Sequence, residues 1–221
     1  MSRAKTTQDF LYSDIVDIEE LLGLSLNCSK SSLYANPNHK ISSAELASLD
    51  LLIQKRQSGE PFSYLSGSKG FYHLDFKVTT DTLIPRPETE LLIDISLDLF
   101  DSNEAIKVLD LGTGSGVIAI TLAHKCANWQ VSATDQSMPA LEVAKENARN
   151  VMTDVEFSHG SWFDAVPYQS FDLIISNPPY VQSNDPHLED LQFEPIEALT
   201  SGTDGLDDIR LIIEQAPKQL H

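Results

Sequence analysis

The sequence predicts an α/β fold, a doubly wound parallel sheet preceded by a small helical domain. Three observations carry this. Apolar residues recur at helical spacing over the first third of the chain. From Ile106 onward, short apolar runs alternate with helical stretches. The first of those runs empties into a glycine-rich turn, Asp110-Leu-Gly-Thr-Gly-Ser-Gly116.

Taken in order, Ile15, Ile18, Leu21 and Leu22 lie at helical spacing. Ser42 and Glu45 then form a capping box ahead of the apolar face Leu46, Leu49, Leu52 and Ile53, and Gly59-Glu60-Pro61 ends that helix. A helical domain is assigned to residues 1–70. Phe71, Leu74, Phe76 and Val78 change the period to that of short strands around a turn, so 71–84 reads as a β-hairpin linker. The main domain, 85–221, opens with Pro85-Arg86-Pro87 before a helix carrying Leu91, Leu92, Ile95 and Leu99 on one side. It continues as a strand over 106–111, a helix over 117–126, a strand over 130–134 and a helix over 139–150. A third strand (155–157), a fourth (171–176) and a last helix (204–220) follow. Such alternation places helices on both faces of a parallel sheet.

Composition narrows the function. The 221 residues, 41% hydrophobic, suffice for a packed core, and no run is long enough to span a bilayer. Acidic residues follow Arg3 and Lys5 closely, against a transit peptide, and no secretory core is present, so the chain reads as cytoplasmic, with no membrane partner. Fifteen basic against thirty-three acidic residues leave a charge of −18, which repels a phosphate backbone and argues against direct nucleic-acid binding. Cys28 and Cys126 have no CxxC partner and the six histidines form no HExxH or close pair, so no metal is expected.

Chemistry concentrates at strand ends. Glycines after the first strand permit a tight turn and close ligand approach, and Gly114-Ser-Gly-Val-Ile-Ala119 fits a dinucleotide pattern. Asp135 ends the second strand, where a carboxylate can take both ribose hydroxyls; an ordinary helix N-cap is the bland alternative. Together they indicate an adenosine-containing cofactor without separating NAD from S-adenosylmethionine. The fourth strand ends in Asn177-Pro178-Pro179-Tyr180. Two prolines fix φ and supply no N–H, so the turn offers acceptors without competing donors. The Asn177 side-chain oxygen and the Pro178 carbonyl can each accept one hydrogen of a planar NH2 group, with Tyr180 lying flat against it. A nitrogen acceptor beside an adenosyl cofactor means methyl transfer.

Four segments then carry a resemblance: Gly59-Glu-Pro-Phe-Ser-Tyr-Leu-Ser-Gly67, Thr82-Leu-Ile-Pro-Arg-Pro-Glu-Thr-Glu90, Asp110-Leu-Gly-Thr-Gly-Ser-Gly116 and Ser176-Asn-Pro-Pro-Tyr180. The chain resembles the release factor glutamine N5-methyltransferases, the HemK/PrmC family, whose catalytic domain has the class I methyltransferase (Rossmann-like) fold. The glycine loop is general to class I methyltransferases and the Asn-Pro-Pro-Tyr turn is shared with adenine methyltransferases, whereas the Ile84–Glu90 string is far more specific. The resemblance implies S-adenosylmethionine as cofactor, held by Gly112, Thr113, Gly114, Ser115 and Gly116 at its methionyl part, by Asp135 at its ribose, by Trp162 beside the adenine, and bordered by Asn177. It implies that Asn177, Pro178, Pro179 and Tyr180 bind the substrate glutamine of class 1 peptide chain release factors, with Asn177, Pro178 and Tyr180 catalytic. Arg86 and Glu90 line the same cleft on this reading; as an alternative they form a surface ion pair. The helical N-terminal domain would dock the release factor.

Members of that family continue past this C-terminus with further strands, so the methyltransferase domain is expected to be incomplete there. Competing readings are an adenine amino-group methyltransferase on DNA or RNA, a shortened form that binds without turnover, and a dehydrogenase.

Overall fold

The computed structural model describes residues 5–221. The chain divides between Ser66 and Gly67 into two compact units.

The first unit is helical, with α1 (Gln8–Leu11), α2 (Ile18–Leu26), α3 (Lys30–Ala35), α4 (Ser43–Gln57) and α5 (Phe62–Ser66). Leu21, Leu22 and Leu49 are wholly buried in one cluster with Phe10, Ile18, Leu33 and Ile53. The expected capping box is present: the Glu45 amide donates to Ser42 Oγ at 3.3 Å and the Ser42 amide to Glu45 Oε2 at 2.7 Å. These bonds satisfy two of the donors that a helix start leaves unpaired. Arg56, in the last turn of α4, reaches back to Asp17 at 2.6 Å.

The second unit opens with an antiparallel hairpin, β1 (Ser68–Phe71) and β2 (Leu74–Lys77). The hairpin therefore starts before residue 71, and the expected boundary at 70 gives way to one at Ser66. Its turn is Tyr72-His73, both at positive φ (47° and 66°). This is the geometry that a two-residue hairpin requires, adopted here without glycine.

A four-stranded parallel sheet follows, made of β3 (Lys107–Leu111), β4 (Gln130–Asp135), β5 (Glu156–His159) and β6 (Leu173–Ser176) in the order β5-β4-β3-β6. The helices are α6 (Glu90–Leu99), α7 (Val117–Lys125), α8 (Met138–Val151) and α9 (Asp207–Gln215). Period-two alternation divides β3 between two cores. Val108 joins Ile93, Ile118, Ile120 and Ala148 on one side, whereas Leu109 and Leu111 join Phe163, Phe171 and Ile212 on the other. The last helix is shorter than the 204–220 expected, because Pro217 falls in a 3-10 turn, Ala216–Lys218, that follows it.

After β3 the chain winds outward to β4 and β5, then returns to the opposite side of β3 as β6. The switch point lies at the carboxyl end of β3, where an open α/β sheet leaves a crevice. Among the described residues no helix is long and apolar enough to cross a membrane.

Candidate active site

Two turns leave adjacent strand ends at the same level, since Leu111 of β3 and Ser176 of β6 are register partners. Ser176 Oγ also donates to the Leu111 carbonyl at 2.8 Å.

After β3, the amides of Gly112 and Thr113 both donate to the Thr134 carbonyl at 2.9 Å, bending the turn over β4. Gly112, Gly114 and Gly116 all have positive φ, of 70°, 56° and 86°. Their surroundings differ. A Cβ on Gly112 would stand 3.1 Å from the Trp162 ring, and one on Gly114 would meet nothing within 4 Å. A Cβ on Gly116 would come within 2.6 Å of Ile120 Cδ1 and 3.1 Å of Ala144 Cβ. After β6, the amides of Tyr180 and Val181 donate to the Leu199 carbonyl at 3.1 and 2.8 Å, tying this turn to the segment after Pro195. Asn177 Nδ2 donates to Thr89 Oγ1 at 3.3 Å.

The turns share a cavity of about 550 Å³ lined by Gly112, Thr113, Gly114, Ser115, Asp135, Trp162, Asn177, Pro178, Pro179 and Arg86, with Pro195, Glu197 and Ala198 across from them. A second cavity of about 390 Å³ has Arg86, Thr89, Asn177, Pro178 and Pro179 in common with the first and adds Tyr180, Leu92 and Leu191. The Asn-Pro-Pro turn thus borders both.

Two carboxylates lie beneath the glycine turn. Asp135 accepts the Gly114 amide through Oδ2 and the Ser137 amide through Oδ1, each at 2.8 Å. Burial nonetheless holds its pKa above the ordinary carboxylate range, outweighing those bonds. Asp110, fully buried, is pushed up to about 7 by the same desolvation, against hydrogen bonds from Thr113 Oγ1 (2.6 Å) and the Ala119 amide (3.2 Å) that pull it down. Its Oδ1 has no hydrogen-bond partner.

Two of the expected site residues sit elsewhere. Glu90 does not line either cavity; its carboxylate accepts the Tyr72 amide at 2.9 Å and so anchors the hairpin turn. Gly116 faces helix packing at the start of α7 rather than the cavity, for the steric reason above. Tyr180 lines the second cavity and not the first, and is 61% exposed. Arg86 pairs not with Glu90 but with Glu194, at 2.5 Å.

Glu194, Thr89 and Asn147 were missed by sequence reasoning. Asn147 on α8 accepts the Lys77 amide at 2.7 Å and donates to the carbonyls of Lys77 (3.0 Å) and Ser115 (2.8 Å), joining the hairpin to the glycine turn. Its one readable signal is an amide on the apolar side of an amphipathic helix, between Ala144 and Ala148.

Comparison with known proteins agrees with this architecture. Residues 89–194 match the Methyltransferase small domain family and residues 11–67 the PrmC N-terminal domain family. A solved methyltransferase from Pyrococcus furiosus superposes with a TM-score of 0.51 at 22% identity, over 76% of this chain and 74% of that one, a likeness of fold. A release factor glutamine methyltransferase of Xylella fastidiosa is 43% identical over 208 residues, 93% of this chain and 76% of the relative. That of Coxiella burnetii is 40% identical over 206 residues, 93% of this chain and 74% of the relative. Identity of this size along nearly the whole chain establishes that the protein belongs to the release factor glutamine methyltransferase family.

Proposed function

We propose that the protein transfers a methyl group from S-adenosylmethionine to the side-chain amide nitrogen of the glutamine in the Gly-Gly-Gln loop of class 1 peptide chain release factors. The observation that carries this reading is the double exposure of Asn177-Pro178-Pro179. The turn lines the cavity that holds the glycine turn and Asp135, and it also lines the neighbouring cavity that holds Tyr180.

The first cavity fits an adenosyl ligand. An open Cα side at Gly114 lets a ligand approach the backbone, Asp135 keeps acceptor capacity beyond its two amide bonds, and Trp162 offers an aromatic wall. When bound, S-adenosylmethionine supplies an electrophilic methyl on a positively charged sulfur. Asp135 would hold the ribose, Gly112–Ser115 the methionyl end, and Trp162 the adenine.

The glutamine would enter the second cavity. Its nitrogen is a weak nucleophile because the lone pair is delocalised into the carbonyl. Asn177 Oδ1 and the Pro178 carbonyl, both acceptors, would take its two hydrogens and fix the direction of the lone pair. As positive charge grows on nitrogen these bonds strengthen, which is the differential binding that lowers a barrier. Holding both reactants in line contributes roughly 7–11 kcal/mol in favourable systems. No dedicated base is needed, because an N-methylated, protonated amide loses its proton readily to water. Tyr180 would lie against the amide plane, and Arg86 borders both cavities. The helical unit ending at Ser66 would dock the release factor, placing the activity in the cytoplasm.

Mass spectrometry of a release factor incubated with this protein and S-adenosylmethionine tests the proposal. One added methyl group on the loop glutamine, lost in Asn177→Ala, is expected. Methylation of DNA or RNA adenine and not of the release factor would overturn it, a result that the charge of −18 argues against.

A further inference from the structure

We propose that Asp208 is a positioning residue that holds the Trp162 indole as the adenine wall of the first cavity, a role that rests on the S-adenosylmethionine reading above. Asp208 lines neither cavity, so it acts on the cofactor only through the ring. An indole can turn over about its terminal torsion, which exchanges its N–H edge for its hydrocarbon edge. A wall that swings loses conformational freedom when a ligand stacks on it, and binding weakens accordingly. A ring fixed beforehand loses none.

Asp208 supplies the fixing contact. Trp162 Nε1 donates to Asp208 Oδ1 at 3.2 Å. The bond has one sense, because an indole N–H only donates and an ionised carboxylate only accepts. With the ring turned over, the carboxylate would face C–H groups and the N–H would lose its partner. The far end of the ring is confined by Gly112, where a Cβ would stand 3.1 Å from Cζ3 and 3.5 Å from Cη2. The Trp162 backbone is held too, since its carbonyl accepts Thr134 Oγ1 at 3.3 Å. That hold matters at a φ of 45°, a left-handed setting that residues other than glycine rarely adopt. Asp208 is itself supported. Its amide donates to Ser201 Oγ at 2.8 Å, and the amide of the buried Ser201 donates to the Val181 carbonyl at 2.9 Å. Ile212, one turn further along α9, packs against the cluster that Trp162 also adjoins. Support from behind is what keeps a binding side chain in its productive geometry.

Calorimetric titration with S-adenosylmethionine tests the assignment. In Asp208→Ala the Kd should rise roughly three- to tenfold, the range of one net hydrogen bond. Asp208→Asn keeps an acceptor oxygen and should bind more tightly than Asp208→Ala. In Trp162→Phe, which keeps an aromatic wall and lacks the N–H, Asp208→Ala should cost nothing further; a merely structural role would cost the same in both backgrounds. In release factor methylation, the KM for S-adenosylmethionine should rise in Asp208→Ala while kcat and the KM for release factor stay near their wild-type values. An unchanged Kd in Asp208→Ala, an equal loss in Asp208→Asn, or an undiminished loss in the Trp162→Phe background would overturn the assignment. A readout that needs neither ligand nor turnover is the indole N–H resonance of Trp162, identified by its loss in Trp162→Phe. It should be protected from exchange with water in wild type, and should shift and lose that protection in Asp208→Ala. Free exchange in wild type, or an unmoved resonance in Asp208→Ala, refutes the bond. Failure of the wild-type protein to bind S-adenosylmethionine would count against the function alone, and the spectrum would still decide what holds the ring.

Discussion

Glu194 and Arg86 stand 108 positions apart and meet at 2.5 Å, while the second oxygen of Glu194 accepts the Ile84 amide at 3.0 Å. One buried carboxylate thus fixes the 84–86 strap against the segment that contributes Pro195, Glu197 and Ala198 to the first cavity.

Glu194→Ala should therefore weaken both stability and cofactor binding. Removing one partner of a largely buried pair leaves an uncompensated group, but Arg86 retains some access to water, so about 1–3 kcal/mol is expected. A urea midpoint and a cofactor titration measure the two effects. Glu194→Gln, which keeps an acceptor for Ile84, should lose less; a midpoint unchanged in Glu194→Ala would refute the tie.

Alanine at Gly116 and at Gly114 should fail differently. At Gly116 the added Cβ meets Ile120 and Ala144 at a φ of 86°, so packing and backbone strain both destabilise. At Gly114 there is open space, leaving the backbone term of roughly 1–2 kcal/mol and an obstruction in the cavity. Thermal unfolding should rank Gly116→Ala the less stable. Calorimetric titration should rank Gly114→Ala the weaker binder of S-adenosylmethionine when compared at a temperature where both are folded.

Cofactor affinity should fall as the solution is acidified. Burial raises the pKa of Asp135, so protonation begins above the pH at which an exposed aspartate would respond, and the protonated carboxyl loses acceptor capacity for ribose hydroxyls. Affinity is present above the folded pKa and lost as pH falls through it. Asp135→Asn should bind roughly tenfold or more weakly, as expected for a charge-assisted hydrogen bond, and with a flatter pH profile. A wild-type dissociation constant as flat as that of the variant would refute the role.

Asp110 gives the opposite sign for stability. Its pKa is about 7 when folded, against about 3.9 for an unfolded aspartate. Between those values the folded state holds a proton that the unfolded state has released, so stability declines as pH rises toward 7 and levels off above it. Asp110→Asn removes that slope. The melting temperature of wild type should drop more than that of Asp110→Asn between pH 5 and 7.5, and parallel curves would exclude a raised pKa.

Much of this was legible in the sequence because it is local. A strand that runs into glycines, and another that runs into Pro178-Pro179, declare their ends through backbone chemistry alone, and the sheet rules bring such ends to one crevice. What was hidden depends on partners distant in the chain. Glu194 lies among short 3-10 turns with no periodicity, and only the fold brings it to Arg86. In the Pro85–Glu90 string, Thr89 and Glu90 are adjacent letters with opposite fates: one faces Asn177, and the other is drawn off by the hairpin turn at Tyr72. Gly114 and Gly116 are the same letter two positions apart, distinguished only by what Ile120 and Ala144 place beside the second.

The lateral tie between Ser176 and Leu111 has a mechanical consequence. The ledge that would carry the methyl donor and the ledge that would carry its recipient are mounted on neighbouring rails of one ladder, whose gauge of about 4.8 Å is dictated by peptide hydrogen bonding and not by any side chain. Natural variation can reshape the walls around that gap, through the 84–86 strap or the residues after Pro195, but it cannot widen or narrow the gap without unzipping the sheet.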